Sequence, residues 1–311
     1  MPSFICPFCS LNCSGLLPGS DGKSVADINW LCKAGKTALQ QAVDQSHSPE
    51  IDGIPVNWED GFINSQNQIS AARFPLVIIS GEVSCETQQL GLQLAGLINA
   101  VVDTPQSRYQ GIASQWVQEV GSQTFTLGET KASQAAHLYW GIDPGDHIPC
   151  PHEWVLNSIQ RPSTLEINYQ AKQGWGCSHA IVIEPGSTLT LLQKARLALR
   201  TTNKAGEPLV NQLLDFFQSV DSGVVFIGSR FLQEGGYALL ELQRLLEDLW
   251  EKHAWRSLLF DFEANSTGGG EALTARTGFS QSVLTAVQPQ DRKSSVASAQ
   301  ELIDKKQTDL V

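Results

Sequence analysis

From Pro75 onward, short apolar runs alternate with stretches whose apolar positions recur at helical spacing. Apolar runs separated by helices favour parallel strands, because a strand covered on both faces carries apolar residues on both sides. The pattern therefore predicts an α/β protein with doubly wound parallel sheets. The predicted strands lie at residues 75–81, 137–141, 164–168, 180–184, 223–228 and 257–261. The predicted helices lie at residues 84–100, 236–253 and 298–305.

The start of the chain has a different character. Residues 1–48 show little helical or strand periodicity and are rich in Cys, Gly and Ser, so we expect a bound metal to organise them. Polar stretches at 45–57 and 201–208 predict domain boundaries. The predicted domains are a four-cysteine iron-sulfur-type segment at 1–57, a first α/β domain at 58–205 and a second, incomplete α/β domain at 206–311. Residues 308–311 are typical of a strand that has only begun, which predicts either a truncated chain or completion by a partner.

Composition and charge narrow the class of protein. Hydrophobic residues make up 41% of the chain and charged residues only 17%, which indicates a packed globule. The formal net charge is -11 without a basic run, which argues against nucleic acid and anionic membrane as partners. Neither a secretory signal nor a membrane span is evident. The sequence thus predicts a soluble, cytoplasmic protein.

Four cysteines near the start carry the clearest chemical signal. Cys6, Cys9 and Cys13 are closely spaced, and Cys32 follows later as the fourth. In a reducing compartment this pattern favours metal ligation over disulfides. Three bunched cysteines and a distant fourth favour a 4Fe-4S cluster over zinc, which usually takes two matched pairs. A zinc site and vacant thiols stay open as alternatives.

These cysteines, with Lys33 directly after the last of them, resemble the N-terminal cluster motif of molybdopterin oxidoreductases. Further blocks resemble one member in order and spacing, namely the B subunit of formylmethanofuran dehydrogenase. The resemblance runs from Cys6 to about Phe279. The blocks are Ser84–Gln88, Asp103–Thr104, Gln118–Gly121, Thr126–Glu129, Tyr139–Pro144 and Ile183–Ser187.

The resemblance implies a set of cofactor-binding residues. In the family, the lysine after the fourth cysteine lies between the cluster and the pterin, which assigns Lys33. Loops after strands contact the pterin dinucleotide, which assigns Gly141, Asp143 and Asn168 to a molybdopterin guanine dinucleotide carrying tungsten or molybdenum. On local sequence alone, Lys33 equally fits a solvated surface cation, the Gly141 loop fits an ordinary strand-to-helix turn, and Ser187 fits a plain helix cap.

The catalytic pattern of the family is incomplete here. The family has a metal-binding cysteine, followed by histidine and glycine, where this chain has Tyr109-Gln110-Gly111. A tyrosine oxygen is a hard donor, protonated near neutral pH, and replaces a thiolate poorly. Residues 261–270 are acidic where the family offers cations, and their glycine run predicts a flexible loop. The family's C-terminal clamp domain is expected to be missing. No catalytic residue is assigned.

Three functions follow from these observations. The first is a catalytically degenerate component, like the B subunit, of a formylmethanofuran dehydrogenase or formyltransferase/hydrolase complex in methanofuran-linked one-carbon metabolism, with the other subunits as partners. The second is an active tungsten or molybdenum dehydrogenase subunit that interconverts carbon dioxide and formate. The third is a zinc-stapled interaction module unrelated to either.

Overall fold

The computed structural model describes residues 4–6, 8–9, 11, 13–19, 25–26, 32–44, 48–105, 107–121, 123–132, 135–142, 163–170, 177–201, 206–260, 265–285 and 297–311. These residues form two compact units. Unit 1 comprises Met1–Ser114 and Glu263–Val311, and unit 2 comprises Gln115–Phe262. The chain therefore leaves unit 1 once and returns to it.

Unit 2 is built on a parallel sheet. Its strands are β8 (Ala136–Trp140), β9 (Thr164–Asn168), β10 (His179–Val182), β11 (Ser222–Ile227) and β12 (Ala254–Leu259). They lie in the order β10-β9-β8-β11-β12, and every pairing is parallel. The order reverses between β8 and β11, as in a doubly wound sheet. The predicted α/β class and the predicted strands in this region are confirmed.

The helices of unit 2 follow from amphipathic sequence. They are α5 (Leu127–Ala132), α6 (Thr188–Thr201), α7 (Pro208–Gln218), α8 (Ser229–Leu232) and α9 (Gly236–Leu249). In α9, leucines at 239, 242, 245, 246 and 249 are buried at i, i+3, i+4 spacing. Trp140, Trp255, Phe217 and Phe226 are fully buried in unit 2.

Unit 1 contains a smaller mixed sheet. Strands β6 (Leu76–Ile78) and β7 (Val101–Asp103) are parallel, and β13 (Val283–Leu284) pairs antiparallel with β7. Helices α3 (Cys85–Leu97), α4 (Ser107–Val120), α10 (Ser266–Thr277) and α11 (Ala299–Asp304) belong to this part of the chain, and the boundary between the units falls within α4. Ile79, Leu92, Val102 and Leu273 lie together in its core.

The remaining elements precede this sheet. Strands β1 (Phe4–Ile5), β2 (Ser14–Pro18) and β3 (Val25–Ala26) form an antiparallel sheet. Helix α1 (Lys33–Asp44) follows, so this part of the chain contains a helix although residues 1–48 show little periodicity in sequence. Strands β4 (Glu50–Ile51) and β5 (Ile54–Pro55) form a hairpin, and helix α2 (Trp58–Ala71) comes next.

The units divide the chain differently from the predicted domains at 1–57, 58–205 and 206–311. The boundary expected near residue 205 fails as a structural division because β11 pairs with β8, which joins residues on both sides of it in one sheet. Residues from 265 onward pack instead with β6 and β7, and the Leu76 amide donates to the Leu310 carbonyl over 2.8 Å. The predicted final strand at 308–311 is reduced to an isolated parallel bridge between Leu310 and Pro75, directly before β6. A separate domain at 1–57 stays a prediction.

Candidate functional site

The first three cysteines lie at a turn between paired strands. The Cys6 amide donates to the Cys13 carbonyl over 2.8 Å, which continues the β1–β2 pairing and brings the two residues side by side. Cys9 lies in the turn between them. All three are buried, with exposed fractions of 4%, 8% and 9%, and so are Leu11 and Leu16 near them in the sequence. The local backbone therefore concentrates three thiols in one small interior.

Cys32 lies close enough to these three cysteines to interact with their thiols electrostatically. It directly precedes α1, and its Sγ accepts a hydrogen bond from the Gly35 amide at 3.3 Å. Burial raises the pKa of Cys6, Cys9 and Cys13, that of Cys13 to about 12, and repulsion from Cys32 contributes in each case. Cys32 is thus near enough to the other three thiols to oppose their ionisation, and a metal cation would offset this repulsion.

The described residues do not show a formed metal centre. Within them, no three His, Cys, Asp or Glu side chains converge closely enough to hold a metal ion. The six described cysteines are all free thiols. Ligation by Cys6, Cys9, Cys13 and Cys32 therefore stays a prediction. Lys33 is the first residue of α1, and its side chain lies outside the described part of the structure.

Tyr109 follows the carboxyl end of a parallel strand in unit 1. Strand β7 ends at Asp103, and α4 begins at Ser107, so Tyr109 lies in the first turn of that helix and is half-buried. Further along the helix, Gly111 is pressed against the chain: an added Cβ would lie 2.8 Å from the Ser280 carbonyl oxygen, and Ser280 Oγ donates to the Gly111 carbonyl. The tyrosine thus lies at the edge where parallel sheets place ligands.

Asp103 organises this edge. Its carboxylate accepts hydrogen bonds from the Thr104 amide at 2.9 Å and from the Ala299 amide, at the start of α11, at 2.6 Å. Burial raises the pKa of Asp103, while hydrogen bonds from Ser107, Ala299 and Thr104 act in the opposite direction. The carboxylate ties α11 to β7, which is a structural role.

Residues 261–270, where the family that the chain resembles has its cations, contain a glycine run, and this run is helical. Gly268–Gly270 lie in α10, so the expectation of a flexible loop there is wrong. An added Cβ on Gly269 would lie 3.1 Å from the Gly81 Cα, and Asn265 Nδ2 donates to the Gly81 carbonyl at 3.3 Å. The glycines let α10 approach the loop after β6. Residues 261–264 lie outside the described residues.

Gly141 lies at the switch point of the unit 2 sheet, directly after β8. Its φ is +63°, and an added Cβ would lie 2.4 Å from the Phe231 backbone nitrogen. Directly after the neighbouring strand β11, an added Cβ on Gly228 would lie 2.4 Å from the Gly141 carbonyl oxygen. The Arg230 amide also donates to that carbonyl, at 3.1 Å. Packing within the chain therefore explains the need for glycine at 141 without a ligand.

The other two predicted cofactor residues are less informative. Asn168 ends β9, is half-buried, and donates from Nδ2 to Glu166 Oε1. Asp143 lies outside the described residues. Contact of Gly141, Asp143 and Asn168 with a pterin stays a prediction.

Glu234 is a structural residue that sequence reasoning missed. Its carboxylate accepts hydrogen bonds from the Gly186 amide at 2.8 Å and the Thr188 amide at 3.4 Å, at the start of α6. Ser187 is the cap that the sequence suggests, but its Oγ donates to the Glu184 carbonyl. The chain's own carboxylate thus occupies a helix N-terminus of the kind that binds phosphate. Because the partners are far apart in sequence, no local signal could have revealed the contact.

The fold and these edges define an α/β protein with a doubly wound sheet and a thiol-rich N-terminal segment. No family model matches the chain. It is similar to the B subunit of the tungsten-containing formylmethanofuran dehydrogenase 2 from Methanococcus maripaludis, with 26% identity over 194 residues, and from Methanocaldococcus jannaschii, with 24%. These matches cover 60% of this chain and 43% of each relative, so the chain spans less than half the length of the curated relatives.

A solved structure supports the fold. The chain is similar to one in the crystal structure of the formyltransferase/hydrolase complex (FhcABCD) from Methylorubrum extorquens in complex with methylofuran, with a TM-score of 0.65 at 15% identity. The match covers 84% of this chain and 74% of that one. The resemblance to the B subunit of formylmethanofuran dehydrogenase is therefore confirmed. Among the described helices, none has the length and apolar character to span a bilayer.

Proposed function

We propose that the chain is a B-type subunit of a formyltransferase/hydrolase or formylmethanofuran dehydrogenase-like complex in methanofuran-linked one-carbon metabolism, and that it is itself catalytically degenerate. The observation that carries the proposal is the match over 194 residues to two B subunits. The similar fold of a chain in a multi-subunit complex supports it. Its partners are then the other subunits of such a complex.

Tyr109 supports the loss of redox catalysis. By the family resemblance it replaces the cysteine that binds tungsten or molybdenum, and it follows β7 at the ligand-binding edge of a parallel sheet. A phenol oxygen is a poor substitute for a thiolate at such a metal. The residues therefore do not fit that metal, and we assign the chain no step of carbon dioxide reduction.

The pterin dinucleotide fits the described residues no better. A dinucleotide binds a doubly wound sheet at the switch point, with its phosphates on amides at a helix N-terminus. Here Gly141 and Gly228 contact each other, and Glu234 already binds amides at the start of α6. A phosphate bound at the start of α6, which follows the edge strand β10, would have to displace a carboxylate of the same charge sign.

Thiolates are the ligands that a soft metal prefers, and we propose that Cys6, Cys9, Cys13 and Cys32 hold a 4Fe-4S cluster. The burial of Cys6, Cys9 and Cys13, and the repulsion that the other three thiols exert on Cys13, support a bound cation. In a segment with short strands, such a cluster acts as a structural staple and has the chemistry to transfer electrons. This retained set is also the one observation that favours an active dehydrogenase subunit as the second candidate.

Metal analysis of anaerobically purified protein tests these assignments. We expect about four iron atoms per chain, a brown chromophore, and neither tungsten nor molybdenum. Cys9→Ser should lose the iron, whereas Cys85→Ser, at an exposed free thiol on α3, should retain it. Tungsten or molybdenum in the wild-type protein would favour the second candidate, and zinc in place of iron would favour a zinc-stapled module.

Assembly tests the subunit role. The chain should form a stable complex when it is purified with the formyltransferase/hydrolase subunits of its own host. If it stays monomeric with all of them present, the proposed role is wrong, whatever metal it holds.

A further inference from the structure

Residues 48–71 form a small self-contained module in unit 1. The Val56 amide donates to the Pro49 carbonyl at 2.7 Å, which closes the β4–β5 hairpin directly before α2. Gly61 lets the helix approach closely, because an added Cβ would lie 3.0 Å from Pro49 Cβ. Asn57 caps the helix by accepting from the Asp60 amide at 2.8 Å. The module is thus held together without burying any residue of α2.

The hairpin and the first two turns of α2 carry large apolar side chains that are exposed. Trp58 and Phe62 are 63% and 68% exposed, although they lie one turn apart with ring centroids 5.9 Å from each other. Ile63 and Ile54 add exposed fractions of 52% and 66%. Large aromatic residues in an exposed group are typical of protein interfaces, where they contribute much of the binding free energy. We call Ile54, Trp58, Phe62 and Ile63 the α2 patch.

The charges around the α2 patch indicate what covers it. Glu50, Asp52, Glu59 and Asp60 are all exposed, and residues 48–72 contain no Lys or Arg. An isologous contact between two copies would bring the same carboxylates together around one apolar centre, and like charges there oppose association. A surface with an apolar centre and a rim of Lys and Arg is complementary in both respects.

We propose that the α2 patch docks a partner subunit that presents an apolar groove rimmed by Lys and Arg. The inference rests on the proposed function, because that function supplies the partner subunits. The apolar residues determine how long the complex lasts, and the carboxylates accelerate its formation at low salt.

The affinity of the full-length chain for the purified formyltransferase/hydrolase subunits of its host tests this surface. Phe62→Ser should weaken binding by about thirtyfold, as expected for a central aromatic residue. Tyr237→Ser is the matched control, since Tyr237 is an aromatic residue on α9 with 70% exposure, and it should bind as the wild type does. Glu59→Lys should slow association and weaken its salt dependence. Circular dichroism should show that each variant is folded, because each side chain is exposed.

Photo-crosslinking identifies the occupant directly. With p-benzoylphenylalanine in place of Phe62, illumination of the assembled complex should join the chain to a different subunit. An adduct between two copies, an adduct within one chain, or no adduct would overturn the inference. If the wild-type chain assembles and Phe62→Ser binds equally well, only the docking surface is wrong. If the wild-type chain does not assemble, the proposed function fails, and the docking inference fails with it.

Discussion

Alanine substitutions at three glycines of unit 2 separate backbone strain from packing. Gly186 has a φ of +83° with open space around an added Cβ, so Gly186→Ala should cost only the left-handed conformation, about 1–2 kcal/mol. Gly228 lacks a positive φ, but its Cβ would lie 2.4 Å from a backbone oxygen, which should cost about 1–3 kcal/mol of overpacking. Gly141 combines both conditions. Its alanine variant should lose about 2–5 kcal/mol of unfolding free energy.

Urea unfolding of the three variants measures these costs. All three gain about the same entropic stabilisation by losing glycine freedom in the unfolded chain, so differences between variants isolate the native-state effect. The slope against urea should stay constant while the midpoint of Gly141→Ala falls below that of Gly186→Ala. If Gly141→Ala in cofactor-free protein is no less stable than Gly186→Ala, the close packing against Phe231 is not what requires glycine there.

The remaining predictions concern the Glu234 cap on α6, the Asp309 carboxylate and Tyr109. Glu234→Gln should destabilise unit 2 by about 1 kcal/mol, because a charged cap on α6 is lost, whereas Ser187→Ala should be nearly neutral in the same urea titration. Hydrogen bonds from the Arg73 and Phe74 amides lower the pKa of the Asp309 carboxylate below 3.8. The stability that these bonds contribute is therefore present above pH 3.8 and is lost as pH falls through the folded-state pKa. The two amide resonances should titrate with a midpoint below pH 3.8, and a midpoint at or above it would contradict the contact. Tyr109→Cys alone should neither bind tungsten nor oxidise formate, because one thiol does not restore a pterin site, and measurable formate oxidation would refute this.

The sequence by itself determined most of the strands of unit 2 and the helix α9. Thr164–Asn168 and Ser222–Ile227 are apolar runs long enough to be buried, and the leucines of α9 repeat at helical spacing, so local pattern and tertiary role agree. It also identified the four cysteines as candidate metal ligands, because residue type and spacing are enough to recognise such a set. The short strand β7 and helix α2 were not predicted as elements. Strand β7 has only three residues, and α2 presents its apolar residues outward.

Only the tertiary structure decided which residues meet. Glu234 caps a helix that begins far earlier in the chain, Asp103 binds Ala299, and Gly141 meets Phe231. Such contacts depend on how strands are ordered in the sheets, and strand order leaves no trace in local periodicity. The division into units has the same origin, because pairing of β8 with β11 joins segments that composition alone had separated. Residue types thus specify which chemical groups the chain offers. Long-range pairing determines which of these groups meet, and which possible binding positions are already occupied by the chain's own residues.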